Sequence, residues 1–169
     1  MRREVKDTER SQPGPEATGG NGVHMMTRID ARDRLIVALD VPSAAEADAL
    51  VARMGDQVRF VKVGLELYTV AGPDIVRKLV DRGKRVFLDL KFLDIEETVR
   101  RATARVAAMG ATFLTVHANR KALIAAVQGR GSSDLKLLAV TVLTNFDGED
   151  LREMGIQRSV QDLVTARAT

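Results

Sequence analysis

Lysine and aspartate alternate at the end of one apolar stretch of this sequence. Asp89 and Lys91 lie two residues apart near the end of the run 86–91, and Asp94 follows three residues later. Lys62 lies inside an earlier apolar run. Charges inside apolar strands are costly to bury unless they are paired, so these four residues are candidates for chemistry. Alternating charges keep lysines protonated and carboxylates ionised, which suits the stabilisation of negative charge on a substrate.

The same residues also have a purely structural interpretation. Charges at strand ends can form surface ion pairs, and a helix could begin with Asp94 as N-cap and Glu97 at the N3 position. Side chains alternate faces along a strand, so Asp89 and Lys91 are expected on the same side. The convergence of all four charged residues on one end of a sheet favours a functional site.

These residues lie in a repeating pattern of strands and helices. Between residues 34 and 169, short apolar runs alternate five times with amphipathic segments, most of which end at glycine. The predicted strands are residues 35–39, 60–65, 86–91, 113–117 and 137–143. The predicted helices are residues 43–55, 72–83, 95–110, 121–129 and 160–166. Such nearly continuous apolar strands predict a parallel sheet joined by right-handed crossovers.

Local pattern alone leaves an open doubly wound sheet and a closed barrel as alternatives. The sequence has no Gly-x-Gly-x-x-Gly turn after the first strand and no Gly-x-x-x-x-Gly-Lys-Ser/Thr loop. It therefore lacks the main sequence signals of the nucleotide-binding folds. A full eight-unit barrel needs about 200 residues or more. We therefore predict an α/β fold, an incomplete (β/α) barrel of the TIM type with about five βα units. Such an opened barrel would expose the edges of its first and fifth strands.

Composition indicates one folded domain. With 45% hydrophobic residues, 169 residues can bury a real core. Residues 1–27 are predicted to be a disordered N-terminal extension, because they hold too few apolar groups to offset the entropy of ordering. Residues 28–169 are the predicted barrel domain. Met25 or Met26, just before this domain, is a candidate for the true start.

Charge and cysteine content exclude several classes of protein. The 26 basic residues are nearly balanced by 23 acidic ones and form no dense basic block, so nucleic acid is not an expected partner. The absence of cysteine excludes disulfides and thiolate metal sites. No stretch approaches membrane-spanning length, and no apolar leader follows the first residues. A cytoplasmic location is the default expectation.

Residues 89–95 carry the spacing Asp-x-Lys-x-x-Asp-Ile, which resembles the signature of orotidine 5′-phosphate decarboxylases. Residues 60–67 are similar to that family's second strand and residues 37–40 to its first, and the similarity covers about residues 34–148. The resemblance implies decarboxylation of orotidine 5′-phosphate to UMP in de novo pyrimidine biosynthesis. It implies no metal and no organic cofactor.

The family's catalytic array carries over to the charged residues already singled out. In that family the substrate lies over an alternating Lys-Asp-Lys-Asp array, which corresponds here to Lys62, Asp89, Lys91 and Asp94. Lys62 also has an implied role in substrate binding. Asp40 corresponds to a first-strand aspartate that contacts the nucleoside part of the ligand.

The family is dimeric, so the resemblance implies a homodimer. Asp94 and Thr98 would reach into the neighbouring subunit's site, and their four-residue spacing places both on one helix face. Leu93 departs from the family, which often has His there, and Glu96 and Glu97 replace a commoner Pro-Asn. His117 also fits the family, and we expect it to contribute packing or line the pocket rather than act as a base.

Two alternatives stay open at this point. The family's later strands supply the Gln and Arg that hold the substrate's phosphate, and no counterpart follows Thr169. Remote phosphate binding supplies stabilisation at the reacting centre, so the chain alone is expected to be an inactive or partner-dependent fragment, or a very weak enzyme. The other alternative is a magnesium-dependent sugar-phosphate decarboxylase or synthase of the same superfamily. Those enzymes carry Glu where this chain has Lys62, and a lysine there repels a divalent cation.

Overall fold

The computed structural model describes residues 29–169; the predicted N-terminal extension, residues 1–27, lies outside the described residues. The strands are β1 (Ile36–Ala38), β2 (Phe60–Gly64), β3 (Arg85–Phe92), β4 (Phe113–His117) and β5 (Lys136–Val140). The α-helices are α1 (Ala44–Met54), α2 (Leu65–Ala71), α3 (Asp74–Asp81), α4 (Glu96–Ala108), α5 (Arg120–Arg130), α6 (Gly148–Glu153) and α7 (Val160–Ala168). Short 3-10 helices cover Ala31–Asp33 and Gly55–Gln57.

The five strands form one parallel sheet in the order β1-β2-β3-β4-β5. Each crossover moves one strand further in the same direction, so right-handed connections put the helices on a single face. A doubly wound sheet would reverse its strand order and cover both faces. The sheet is therefore a segment of barrel wall, which confirms the predicted α/β fold of the incomplete barrel type.

The face of the sheet that packs against the helices forms the core. In the three central strands its side chains are almost completely buried: Val61, Val63, Val86, Leu88, Leu114 and Val116. Helix residues complete this cluster, among them Val51, Val76, Leu79, Val99, Val106 and Ala126. The opposite face, the inner face, carries the alternate residues Phe60, Lys62, Phe87, Asp89, Phe113, Thr115 and His117. No helix within residues 29–169 is long and apolar enough to cross a membrane.

Three phenylalanines cover the amino end of the inner face. The Phe60 and Phe113 rings are stacked with centroids 5.3 Å apart, and Phe87 meets Phe113 edge to face at 6.0 Å. The Arg85 guanidinium lies 4.6 Å above the Phe60 ring, and the Lys136 ammonium lies 5.9 Å from the Phe113 ring. Both are cation–π geometries. This end of the sheet is therefore a packed, apolar layer.

Two short helices were not predicted. Residue 65, expected to end the second strand, instead begins α2, in which only Leu67 is buried. Helix α6 begins at Asp147, whose carboxylate accepts from the backbone N–H groups of Glu149 and Asp150. Asp150 in turn accepts from the N–H of Asp147, which completes a capping box. The sequence signal for α6 was the three-residue spacing of Asp147 and Asp150, which is that of a capping box.

Helices α4 and α5 approach each other closely at Gly129. A Cβ built at Gly129 would lie 2.1 Å from the backbone oxygen of Arg100 and 3.0 Å from the Cβ of Thr103. Both neighbours belong to α4, and one of them is backbone, so neither can move aside easily. The absence of a side chain at Gly129 is what lets the two helices pack at this distance.

We expect Gly129→Ala to lower the free energy of unfolding by about 1–3 kcal/mol, because the added methyl group forces α4 and α5 apart. Urea denaturation followed by circular dichroism measures the change. Gly148→Ala is the matched control, since a Cβ there meets only the Arg152 Nη1 at 3.7 Å, an ordinary contact. Equal midpoints for Gly129→Ala and the parent chain would contradict the close helix contact.

Candidate active site

Two lysine–aspartate pairs lie side by side at the carboxyl end of the sheet. Lys62 Nζ on β2 donates to Asp40 Oδ1, just after β1, at 2.9 Å. Lys91 Nζ donates to both carboxylate oxygens of Asp89 on β3, at 2.9 and 3.0 Å. Strands β2 and β3 are neighbours in the sheet, and Gly64 is in register with Asp89. The structure therefore brings Asp40, Lys62, Asp89 and Lys91 to one surface. Of the four charged residues predicted to converge, it pairs Lys91 with Asp89 and Lys62 with Asp40, and it pairs Asp94 with none of them.

The Asp89 carboxylate is held in its ionised form. Burial acts to raise the pKa of Asp89, but hydrogen bonds from Lys91 and Thr115 and the positive charges of Lys91 and Lys62 outweigh it. The net pKa lies below the ordinary value of 3.8. The nearby ammonium groups thus favour the charged form of the carboxylate. The site pairs this ionised carboxylate with the Lys91 ammonium at hydrogen-bond distance.

A β-bulge in β3 shapes the Asp89–Lys91 pair. The register between β3 and β4 runs Leu88↔Leu114 and then Phe92↔Val116, so β3 advances four residues while β4 advances two. Lys91 has φ of 49° and is the one non-glycine residue with positive φ among residues 29–169. The contact between the two side chains confirms that they share a side. Simple strand alternation does not produce this geometry, because the bulge and the left-handed residue interrupt it.

Thr115 is the residue at this site that sequence reasoning missed. Its side chain, on β4, is buried, and its Oγ1 donates to Asp89 Oδ1 on β3 at 2.8 Å. The same oxygen accepts from the backbone N–H of Lys91 at 2.9 Å. Its one sequence signal was its place two residues before His117, which puts both on the same face of β4.

His117 lies beside the charge array at the end of β4. It lines a cavity of about 230 Å³ together with Leu93, Thr141 and Arg167. Burial lowers the pKa of His117, and the positive charges of Arg167 and Lys91 lower it further. The position agrees with the predicted pocket-lining role.

Asp94 and Thr98 make no hydrogen bond or ion pair with Lys62, Asp89 or Lys91 among residues 29–169. Both are exposed, and Asp94 Oδ1 accepts only from the next residue's backbone N–H, at 2.7 Å. The N-cap of α4 is Ile95 without a side-chain hydrogen bond, so the capping interpretation of Asp94 is wrong. The Glu97 carboxylate accepts from Arg100 Nε at 2.8 Å and from Arg101 Nε at 2.6 Å, on the exposed surface of α4.

No group of three or more His, Cys, Asp or Glu side chains within residues 29–169 is placed to hold a metal ion. The carboxylates Asp40 and Asp89 instead each bind a lysine ammonium. Charged pairs at the carboxyl ends of neighbouring strands in a singly wound parallel sheet give this chain the architecture of the (β/α)-barrel class, and they lie at the end where enzymes of that class carry their active sites.

Comparison with known proteins then gives the family. The sequence model described as the orotidine 5′-phosphate decarboxylase / HUMPS family matches residues 33–169, and the chain belongs to this family. Orotidine 5′-phosphate decarboxylase of Nitrobacter winogradskyi is 55% identical over 138 residues, which are 82% of this chain and 58% of that protein. The protein of the same name from Bradyrhizobium diazoefficiens is 51% identical over 140 residues, 83% of this chain and 59% of its own length. The chain thus spans less than two thirds of these relatives.

Solved structures agree with the architecture. The crystal structure of orotidine 5′-phosphate decarboxylase from Lactobacillus acidophilus superimposes with a TM-score of 0.74 at 38% identity, covering 79% of this chain and 64% of that one. The structure of the protein of that name from Pyrococcus horikoshii superimposes with a TM-score of 0.62 over 79% of this chain and 60% of that one. At 24% identity, the second match supports the fold alone.

The imidazole of His117 is expected to titrate below its ordinary pKa of 6.5, because burial and two cations favour its neutral form. Its stabilising contribution is therefore present above 6.5 and is lost as the pH falls through the lower folded value. NMR titration measures the pKa, and the variant His24→Gln assigns the two histidine signals. Arg167→Met and Lys91→Met should each raise the pKa of His117, whereas Lys136→Met, at the other end of the inner face, should not. A pKa of His117 that is unchanged in Lys91→Met would contradict the position of the Lys91 ammonium near His117.

Proposed function

We propose that the chain carries the catalytic residues of an orotidine 5′-phosphate decarboxylase, which forms UMP in de novo pyrimidine biosynthesis. The observation that carries this proposal is the Lys91 ammonium, bound by the ionised Asp89 carboxylate and adjacent to the Lys62–Asp40 pair. Such a surface is preorganised for negative charge that appears on a bound ring. The named relatives and the family match support the same reaction.

In the proposed reaction the substrate's pyrimidine lies over the array, with the C6 carboxylate near Asp89. The bond from C6 to the carboxylate carbon breaks, carbon dioxide leaves, and the electron pair stays at C6. The Lys91 ammonium stabilises this charge and then donates a proton to C6, which gives UMP. The lysine regains a proton from solvent, so the reaction consumes one proton and needs no oxidant, metal or organic cofactor.

The second pair has a binding role in this proposal. Lys62 is mostly buried, whereas the Asp40 side chain is 63% exposed and can reach a ligand above the sheet. Asp40 fixes the Lys62 ammonium at 2.9 Å, and its free oxygen is available to a ribose hydroxyl. A lysine at position 62 also favours this reaction over the magnesium-dependent one, because its charge opposes a divalent cation.

A homodimer is part of the same proposal, with Asp94 and Thr98 of each subunit completing the site of the other. Both residues are exposed and unused by the array of their own chain. Leu93 and Ile95, on either side of Asp94, are 58% and 73% exposed, and such apolar surface is typical of an interface. A cytoplasmic location completes the proposal, since the substrate and the product are soluble nucleotides.

We expect Lys91→Ala to lower decarboxylation of orotidine 5′-phosphate by at least about 10²-fold, because it removes the proton donor and the charge at C6. The assay uses a hybrid in which this chain's aligned stretch replaces that of the Nitrobacter winogradskyi relative, since the stretch covers only 58% of that protein. Loss of substrate absorbance gives the rate. Lys136→Ala, a lysine on the same face at the amino end, is the matched control and should keep the parent rate.

Two results would contradict the proposed reaction. One is a folded hybrid, verified by circular dichroism, that does not decarboxylate orotidine 5′-phosphate or does so equally well with Lys91→Ala. The other is activity on ketose phosphates that is abolished by EDTA and restored by magnesium. Activity of the hybrid that EDTA leaves unchanged supports the proposal.

The proposed two-subunit site predicts complementation between inactive variants. Hybrids carrying Lys91→Ala and Asp94→Ala should each be inactive alone. After they are mixed and their subunits exchange, mixed dimers hold one site with both residues intact, so part of the activity returns. Size-exclusion chromatography verifies that dimers form. Absence of any recovery in a sample shown to contain mixed dimers would overturn the shared site.

A further inference from the structure

We propose that Thr115 is a positioning residue, which holds the Asp89 carboxylate and the main chain of Lys91 in the geometry that the reaction requires. This inference rests on the proposed decarboxylase function, which it extends to a residue outside the charged array. Thr115 lies on β4, across the bulge from both of the residues that it contacts.

The Thr115 hydroxyl makes one hydrogen bond as donor and one as acceptor. It donates to Asp89 Oδ1 at 2.8 Å and accepts from the Lys91 backbone N–H at 2.9 Å. Thr115 is only 5% exposed, so bulk water has little access to its hydroxyl. A hydroxyl has one proton and two acceptor lone pairs. Here the proton is donated to the Asp89 carboxylate, which can only accept. The single oxygen therefore links the side chain of one array residue to the backbone of the next.

This contact takes the place of sheet hydrogen bonds that the bulge removes. Between Leu88 and Phe92 the regular pairing of β3 with β4 is interrupted, and Lys91 takes a left-handed backbone conformation that lysine rarely adopts. A buried N–H without a partner is unfavourable. The Thr115 oxygen supplies that partner at the strained residue itself. The threonine thus stabilises the bulge that turns the Lys91 side chain back onto Asp89.

The carboxylate is also restrained from two directions. Asp89 Oδ1 accepts from both Thr115 Oγ1 and Lys91 Nζ, and Asp89 Oδ2 accepts from Lys91 Nζ at 3.0 Å. The Thr115 hydroxyl makes no hydrogen bond with Lys62 or Asp40. Its removal should therefore loosen the Asp89–Lys91 geometry more than it affects ligand binding. The expected signature is a loss in kcat with little change in KM.

Thr115→Val tests this role, because valine keeps the buried branched shape and lacks the hydroxyl. In the full 169-residue chain, amide hydrogen exchange of Lys91 should become at least about tenfold faster in Thr115→Val, since its N–H loses its acceptor. In the hybrid enzyme, kcat should fall by about tenfold or more while KM changes much less. Thr115→Ser retains the hydroxyl and should restore both values towards those of the parent.

Thr103→Val is the matched control. Thr103 is fully buried in α4 and its hydroxyl has no hydrogen-bond partner, so the same chemical change there removes no hydrogen bond. It should leave kcat and the exchange of the Lys91 amide unchanged. An equal loss of kcat in Thr103→Val would show a general packing effect and overturn the positioning role.

The outcomes separate this inference from the function on which it rests. A hybrid whose activity depends on Lys91 but is unchanged by Thr115→Val overturns the positioning role alone. Failure of Thr115→Ser to restore kcat also overturns it. A folded hybrid without decarboxylase activity overturns the proposed function, and the exchange of the Lys91 amide in the full chain then still shows whether the hydrogen bond exists.

Discussion

The ion pair between Lys91 and Asp89 is the interaction on which the rest of the site depends. The Asp89 carboxylate would be unfavourable alone on a partly buried strand, and the hydrogen bonds from the Lys91 ammonium stabilise its charged form. The neighbouring pair, Lys62 with Asp40, extends the same pattern to the first two strands. Parallel strands bring their carboxyl ends to one edge of the sheet. Charged residues that are far apart in the sequence can therefore meet there without a long loop. The helices on the outer face bury the apolar residues that make this possible.

The two ends of the inner face have different physical characters. At the amino end, Phe60, Phe87 and Phe113 form a packed layer, and Asp33 lies 3.5 Å from the guanidinium of Arg85. At the carboxyl end, polar groups replace the rings, although the backbone pairing continues. The aromatic packing and the charge array therefore lie on different residues of the same strands. This division is general for barrels, in which the amino face stabilises and the carboxyl face reacts.

Much of the fold could be predicted from the sequence, because strong apolar runs decide it. Strand β4 has the predicted bounds, residues 113–117, and the charged residues of the array stood out because they interrupt such runs. Helix α2 could not be predicted in this way, since it is seven residues long and buries one side chain, so tertiary contacts must hold it. The bulge and the proposed role of Thr115 could not be predicted from the sequence either. They arise from the pairing of β3 with β4, which no local pattern records.

The left-handed backbone at Lys91 lowers the stability of the fold, although the proposed function needs the lysine side chain there. A non-glycine residue in that conformation costs of order 1–3 kcal/mol, and glycine would adopt it without strain. A screen that rewards only heat resistance or expression would therefore tend to enrich glycine at this position and discard the ammonium group. Directed evolution of this protein needs a functional filter at position 91, because thermal stability and the proposed role of the Lys91 ammonium favour different residues there.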